Sequence, residues 1–340
     1  METRGVPFVF GGVKNVNDCK TSAEVIKKAG LDWSVRKAEI FAKILNTQSV
    51  CPGGIYDGVN AYNPVDNMFA TYRDDTGAPL GIVKGRYEPV QNIDAFKFFD
   101  DAIGKDEAIW QTAGALDGGS RVFVSAKLPN TITINGDPVD NYLVFLTSHD
   151  GSTGVKIMLT PVRIFCQNCL NAAIRNADSY ISYRHTRSVH KNIDIAHEIL
   201  GICNDKIKNL QLMYDLLGKK EMSDAAAQEA FCDLILTEAE INALKDTGHT
   251  KFEIVNRNYR AINDSGISMK KVNTISGIND YYYNGIAQNE IVGTAWGVYN
   301  AVTGYYSNVD NVSGQKRFDS LLFGDKATKI KSFSDYLLEV

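Results

Sequence analysis

Asn141–Lys191 reads NYLVFLTSHDGSTGVKIMLTPVRIFCQNCLNAAIRNADSYISYRHTRSVHK, and its interpretation decides how the rest of the chain is read. Two apolar runs, Tyr142–Thr147 and Val155–Leu159, enclose the polar, glycine-containing segment His149–Gly154, the pattern of two strands and a turn. Thr160-Pro161 then suits a helix entry, with Thr as cap and Pro at the first helical position. The spacing predicts a helix over Pro161–Arg175 whose Arg163, Gln167, Asn171 and Arg175 recur every four residues and share one stripe. Val162, Phe165, Cys169, Ala172 and Ala173 fall on the opposite side. A further β-like run, Tyr180–Arg184, leads into His185, Arg187, His190 and Lys191.

Working outward, Thr21-Ser-Ala-Glu24 has the form of a capping box, and Gly30 suits the left-handed position that stops a helix. Leu31–Val35 alternates like a half-buried strand, whereas Asn46–Asn67, rich in Gly, Asn, Pro and Tyr, reads as a long loop. Met68–Arg73 and Leu80–Val83 flank a turn at Asp74–Gly77 and predict a hairpin. Asn92 is placed to cap a helix with Ile93, Phe96, Phe99 and Ile103 on one face. Four strands follow (Ile109–Ala113, Arg121–Leu128, Thr131–Ile134 and Val139–Thr147), broken at Asp117-Gly-Gly119, Pro129-Asn130 and Asn135-Gly136. They predict an antiparallel meander. Beyond Asn192 the pattern turns helical: a long amphipathic helix to Gly218, helices capped by Ser223, Thr237 and Thr294, and another over Lys251–Ile262. Val272–Ile286 reads as irregular. The fold class expected is α+β, an antiparallel sheet packed by helices and followed by a mainly helical C-terminal part, with domains at 1–218 and 219–340.

Composition narrows the class. A chain of 340 residues with 44% hydrophobic and 22% charged residues is ordinary for a soluble globular protein. Net charge −4 excludes a protein basic all over, so any nucleic-acid contact has to be local. Six cysteines are sparse for this length, the N-terminus lacks a secretory pattern, and no window approaches ~18 apolar residues. The setting expected is a reducing cytoplasm, with no membrane partner and no cofactor.

Cys166-x-x-Cys169 with His185 and His190 could supply soft ligands to zinc. Inside a helix, however, the two thiols have no knuckle turn, and buried cysteine is a common small hydrophobe. Core packing is therefore the reading adopted, with a metal-dependent enzyme as the alternative. His149 and Ser152 lack a nucleophile elbow, and their segment has turn composition. No phosphate-binding glycine motif is present. Charge gives the positive hint. Between Lys156 and Lys191 stand Lys156, Arg163, Arg175, Arg184, Arg187 and Lys191 against a single Asp178, interleaved with Tyr180, Tyr183, His185 and His190. Arginines for phosphates and aromatics for bases compose a single-strand-binding groove. The bland alternative is a solvated helix face and a charged edge strand.

Several ordered segments carry a family resemblance: Ala29–Trp33, Arg86–Asn92, Thr112–Gly114, Ser148–Ser152, Thr160–Asn168, Arg184–Thr186, Gly293–Trp296 and Asn300–Val302. Together they resemble the phage/plasmid-like protein family, a domain-of-unknown-function family of mobile elements, along the full chain. Cys169 departs from that pattern, which usually has Thr there. The resemblance implies phage or plasmid origin and no particular activity. The order of elements, a meander and then a basic-striped helix, is similar to that of ring-forming single-strand annealing recombinases, an analogy of fold and context alone. The function expected is single-stranded DNA binding or annealing in replication or recombination, without catalysis and with a homo-oligomer possible. Arg163, Gln167, Asn171, Arg175, Tyr183, Arg184, His185, Arg187 and Lys191 are its contacts. A host-interaction protein with no convergent site is the remaining alternative.

Overall fold

The structure, a computed structural model, describes residues 12–104, 108–163, 180–187, 196–310, 320 and 324–339. β1 (Val13–Asn15) leads to α1 (Ser22–Ala29). Thr21 accepts from the Glu24 amide and Gly30 closes the helix at φ 67°, as the sequence predicts, although Glu24 reaches back to the Lys20 amide rather than to Thr21. Leu31 and Trp33 alternate inward as expected, but the strand begins only at Val35. β2 (Val35–Ile44), β3 (Ile55–Tyr56), β4 (Ala61–Arg73) and β5 (Pro79–Lys84) form a small sheet with β4 at its centre. β2 lies along one side of β4, and β3 and β5 share the other.

The predicted loop over Asn46–Asn67 is therefore wrong at Ile55–Tyr56 and again from Ala61 onward. Ala61–Pro64 pairs with Phe41–Ile44, and Pro64 sits where the β2–β4 register shifts, a place that tolerates a missing amide. This end of the sheet is mostly exposed, so its residues carry no apolar alternation that would mark a strand.

α2 (Asn92–Gly104) begins where predicted and buries Ala95, Phe96 and Phe99, while Ile93 is 46% exposed rather than on the buried face. Its aromatics meet the second sheet: Phe99 lies 5.4 Å from Trp110 and 6.5 Å from Phe145, ring centre to ring centre. That sheet holds β1, β6 (Ile109–Leu116), β7 (Arg121–Ile134), β8 (Asp137–Ser148), β9 (Val155–Arg163) and β10 (Tyr180–Tyr183), all antiparallel and in that spatial order. The meander is as expected, and Asn135-Gly136, both at positive φ, closes the β7–β8 hairpin. Pro129-Asn130 is not a turn. It lies at a register shift inside the continuous β7.

The largest correction falls on Thr160-Pro161. Both belong to β9, and Asn141, Asp140 and Val139 pair with Pro161, Val162 and Arg163. The ladder with β8 continues three residues past the supposed cap. β10 pairs with β9 only as far as Met158, so Pro161 occupies an edge stretch among the described residues. The start of the basic-striped helix is thus strand, and its remainder, with Gln167, Asn171 and Arg175, lies outside the described residues.

The C-terminal part is helical: α3 (Ala196–Lys219), α4 (Asp224–Ile235), α5 (Glu238–Asp246), α6 (Lys251–Val255), α7 (Tyr259–Ser265), α8 (Met269–Asn284), α9 (Ala295–Gly304) and α10 (Asp325–Glu339). Ser223, Thr237 and Thr294 each cap their helices as predicted. Lys251–Ile262 is broken at Arg257, which has φ 57°. Val272–Ile286, expected to be irregular, is mostly α8. Val272, Ile275, Ile278 and Tyr282 give it a buried stripe that its Asn and Gly residues obscure. The core is continuous from the sheet into these helices. Tyr214, Trp296 and Tyr299 stack together, and the Trp296 indole donates to Asp137 at 2.8 Å. Among the described residues no helix is long and apolar enough to cross a membrane.

Candidate functional site

The β8–β9 turn is where the two sheets meet. Thr71 of β4 donates to the His149 carbonyl at 2.6 Å, and Tyr87 donates to the Ser148 carbonyl at 2.6 Å. Gly81 of β5 lies so close that a Cβ there would stand 2.5 Å from Asp150 Cα. Gly81→Ala is accordingly expected to push the turn off β5, costing about 1–3 kcal/mol by overpacking. Urea unfolding checks this, and a variant as stable as the parent would show that the junction yields. Within the turn, Asp150 accepts from the Ser152 amide, so this segment has the self-bonded geometry read from its composition.

Two histidines are buried beside the turn. His149 is fully enclosed, edge-on to Trp33, and its Nε2 lies 3.2 Å from Asn92 Oδ1. Asn92 donates through Nδ2 to the Leu31 and Trp33 carbonyls, so its Oδ1 is the acceptor and His149 Nε2 carries the proton. Asn92, expected as a helix cap, is instead the bracket that holds this imidazole. Among the described residues His149 Nδ1 has no hydrogen-bond partner. His185 stacks on Tyr87 at 4.7 Å. Its Nδ1 donates to the Glu88 carbonyl at 3.2 Å, which leaves Nε2 to accept from Thr147 Oγ1 at 3.4 Å. Burial pushes His185 down to about 4. Burial, then the neighbouring His185, push His149 down to about 3. Both imidazoles are neutral at pH 7.

Above them opens a pocket of about 470 Å³, lined by the 82–87 segment, the 151–154 turn and residues 184–186. Lys84, Arg86 and Arg184 line it, all three exposed and none in a salt bridge among the described residues. Among the described residues no carboxylate stands in the lining, although Asp150 and Glu88 lie close behind. Three exposed cations around one pocket make surroundings of positive charge suited to an anion. The hydroxyl set against His185, that of Thr147, is fully buried, and among the described residues no group of three or more His, Cys, Asp or Glu could hold a metal ion.

The residues predicted from sequence are dispersed. Arg184 lines the pocket and Arg187 is exposed just beyond it. His185 forms part of the pocket wall but is 7% exposed, with both nitrogens engaged, so it is a structural member and not a surface contact. Tyr183 is half-buried against the core. The backbone of Arg163 ends β9. Gln167, Asn171, Arg175, Lys191, Cys166, Cys169 and His190 lie outside the described residues. Sequence reasoning missed Lys84 and Arg86 as site residues. Arg86 had one signal, since it opens a segment that carries the family resemblance; Lys84, a single cation ending a strand, had none.

A family model described as "Domain of unknown function (DUF932)" matches residues 79–327. The chain belongs to this family. The DUF932 match starts at the first residue of β5 and so contains the entire pocket lining, whereas α1 and β2–β4 precede it. Trp33 and Thr71, which hold His149 in place, thus come from outside the DUF932 region. No curated protein and no solved structure matches the chain.

Proposed function

We propose that this DUF932 protein binds single-stranded nucleic acid, with Lys84, Arg86, Arg184 and Arg187 on the phosphates. The observation that carries this reading is the convergence of exposed cations from segments a hundred residues apart over one pocket, with no carboxylate in its lining among the described residues. A chain of net charge −4 does not accumulate such a patch by being basic overall. The rigid base beneath it, with Tyr87 stacked on His185, holds the cations at fixed spacing. The resemblance in sequence to phage and plasmid proteins supports a role in the replication or recombination of a mobile element, in the host cytoplasm.

Fluorescence anisotropy with a labelled oligo-dT tests the proposal. Log affinity is expected to fall with log salt by about 0.7 per phosphate neutralised. Arg86→Ala with Arg184→Ala should reduce that slope by about 1.4 and weaken all sequences alike, since phosphate contacts carry no base information. Both side chains are exposed, so the melting temperature should stay unchanged. A parent that binds no oligonucleotide at low salt, or a double variant with parental slope and affinity, defeats the proposal.

A further inference from the structure

We infer that the outer edge of β2 is an interface with a second copy of this chain, formed by antiparallel pairing of β2 with β2 across a two-fold axis. This stands independently of the nucleic-acid reading. β2 is ten residues long, and its one strand neighbour among the described residues is β4. At its start both main-chain groups of Val35 point away from β4. The amide donates to Gln91 Oε1 at 2.9 Å and the carbonyl accepts from Gln91 Nε2 at 3.1 Å. Arg73, opposite Val35, likewise turns its amide away, to Ala78. The two-residue period of a strand then directs the main-chain groups of Lys37, Glu39, Phe41 and Lys43 to the same outer edge. Gln91 caps the first of these positions, and among the described residues no comparable side chain covers Glu39, Phe41 or Lys43.

Side chains on this edge say what covers it. Ala38, Ile40, Ala42 and Ile44 share one face, all exposed or half-exposed, with Ile44 at 42% and the following Leu45 at 66%. A long edge strand with an open apolar face is a template for another strand. The opposite face carries Glu39, Phe41 and Lys43, and this order is self-complementary. When Phe41 lies on the axis, Glu39 of each copy faces Lys43 of the other, twice. Ala38 then faces Ile44, and Ile40 faces Ala42, giving one apolar band. Sliding the pair by two residues loses this match. One neighbouring register sets Lys37 against Lys43, and the next sets Glu39 against itself. Among the described residues Glu39 makes no salt bridge, and Lys43 lies over the Tyr62 ring at 5.7 Å, so both charges are available to a partner. The charge pattern selects a second copy in one register over an unrelated strand.

Analytical ultracentrifugation of the full chain without nucleic acid tests this, using Glu39→Lys and Lys43→Glu. The parent should be dimeric. Each variant alone should weaken the dimer at least about tenfold, because two opposite-charge pairs become two like-charge pairs. Mixing the two variants should restore a dimer containing one chain of each, since both facing pairs across the axis then join opposite charges again. Only this register predicts that rescue. Unchanged circular dichroism and melting would show both variants folded, as exposed positions allow. A parent that stays monomeric, an assembly larger than two chains, or a dimer indifferent to both variants would overturn the inference.

Discussion

Trp296→Ala is expected to destabilise the protein by about 3–5 kcal/mol, the range for emptying a buried tryptophan site. Trp296 is fully buried at the point where the helical part meets the sheet. Its ring stacks on Tyr299 at 5.7 Å and against Tyr214 at 4.7 Å, so truncation strips contacts from α3 and α9 together. The indole also donates to buried Asp137, the first residue of β8 after the Asn135-Gly136 turn. Trp296→Phe retains most of the ring packing and loses that donor, with an expected cost of about 1–2 kcal/mol. A fall of roughly 4–7 °C in melting temperature would separate the alanine variant from the parent. If the alanine variant melts within about 2 °C of the parent, the core is not continuous between sheet and helices.

The second large effect is acid destabilisation through His149 and His185. In the unfolded chain both have ordinary values near 6.5, while in the folded chain they lie at about 3 and about 4. Folded-state values below the unfolded ones mean that the unfolded state binds more protons as pH falls. Stability from keeping these imidazoles neutral is thus complete above about pH 6.5 and declines as pH drops toward 4. With both groups contributing, the slope approaches about 2.7 kcal/mol per pH unit near pH 5. Protonation would add a donor to Nδ1 of His149, which has no acceptor among the described residues, and place a second charge beside His185. Urea unfolding between about pH 7 and about pH 4.5 measures the slope. NMR titration supplies an internal contrast, because His249 is held above its ordinary value, chiefly by Asp264, with Glu253 on its other nitrogen. His249 should titrate above 6.5 while His149 and His185 remain neutral through that range. Should His149 or His185 titrate near 6.5, its enclosure is not as described.

Fold class was legible in sequence where signals were local. Thr21, Gly30, Ser223, Thr237 and Thr294 mark helix ends because one side chain or one positive φ settles each of them. Asn135-Gly136 and the alternation around it determined the meander for the same reason. Arg184 and Arg187 were visible as charge on a short strand and its exit.

Tertiary structure decided the rest. Thr160-Pro161 carries a helix-entry signal, yet β8 offers a ladder that continues to Arg163, and the edge position removes the penalty on proline. Asn92 has the composition of a cap, but His149, 57 residues away, claims its side chain. His185 reads in sequence as an aromatic contact for a base among basic neighbours, and only the packing of Tyr87 and Thr147 against it shows a buried neutral ring. The pocket itself joins Lys84 and Arg86 to Arg184 across a hundred residues. Proximity of that kind has no local signature, because it is created by the turn His149–Gly154 seating one sheet on the other.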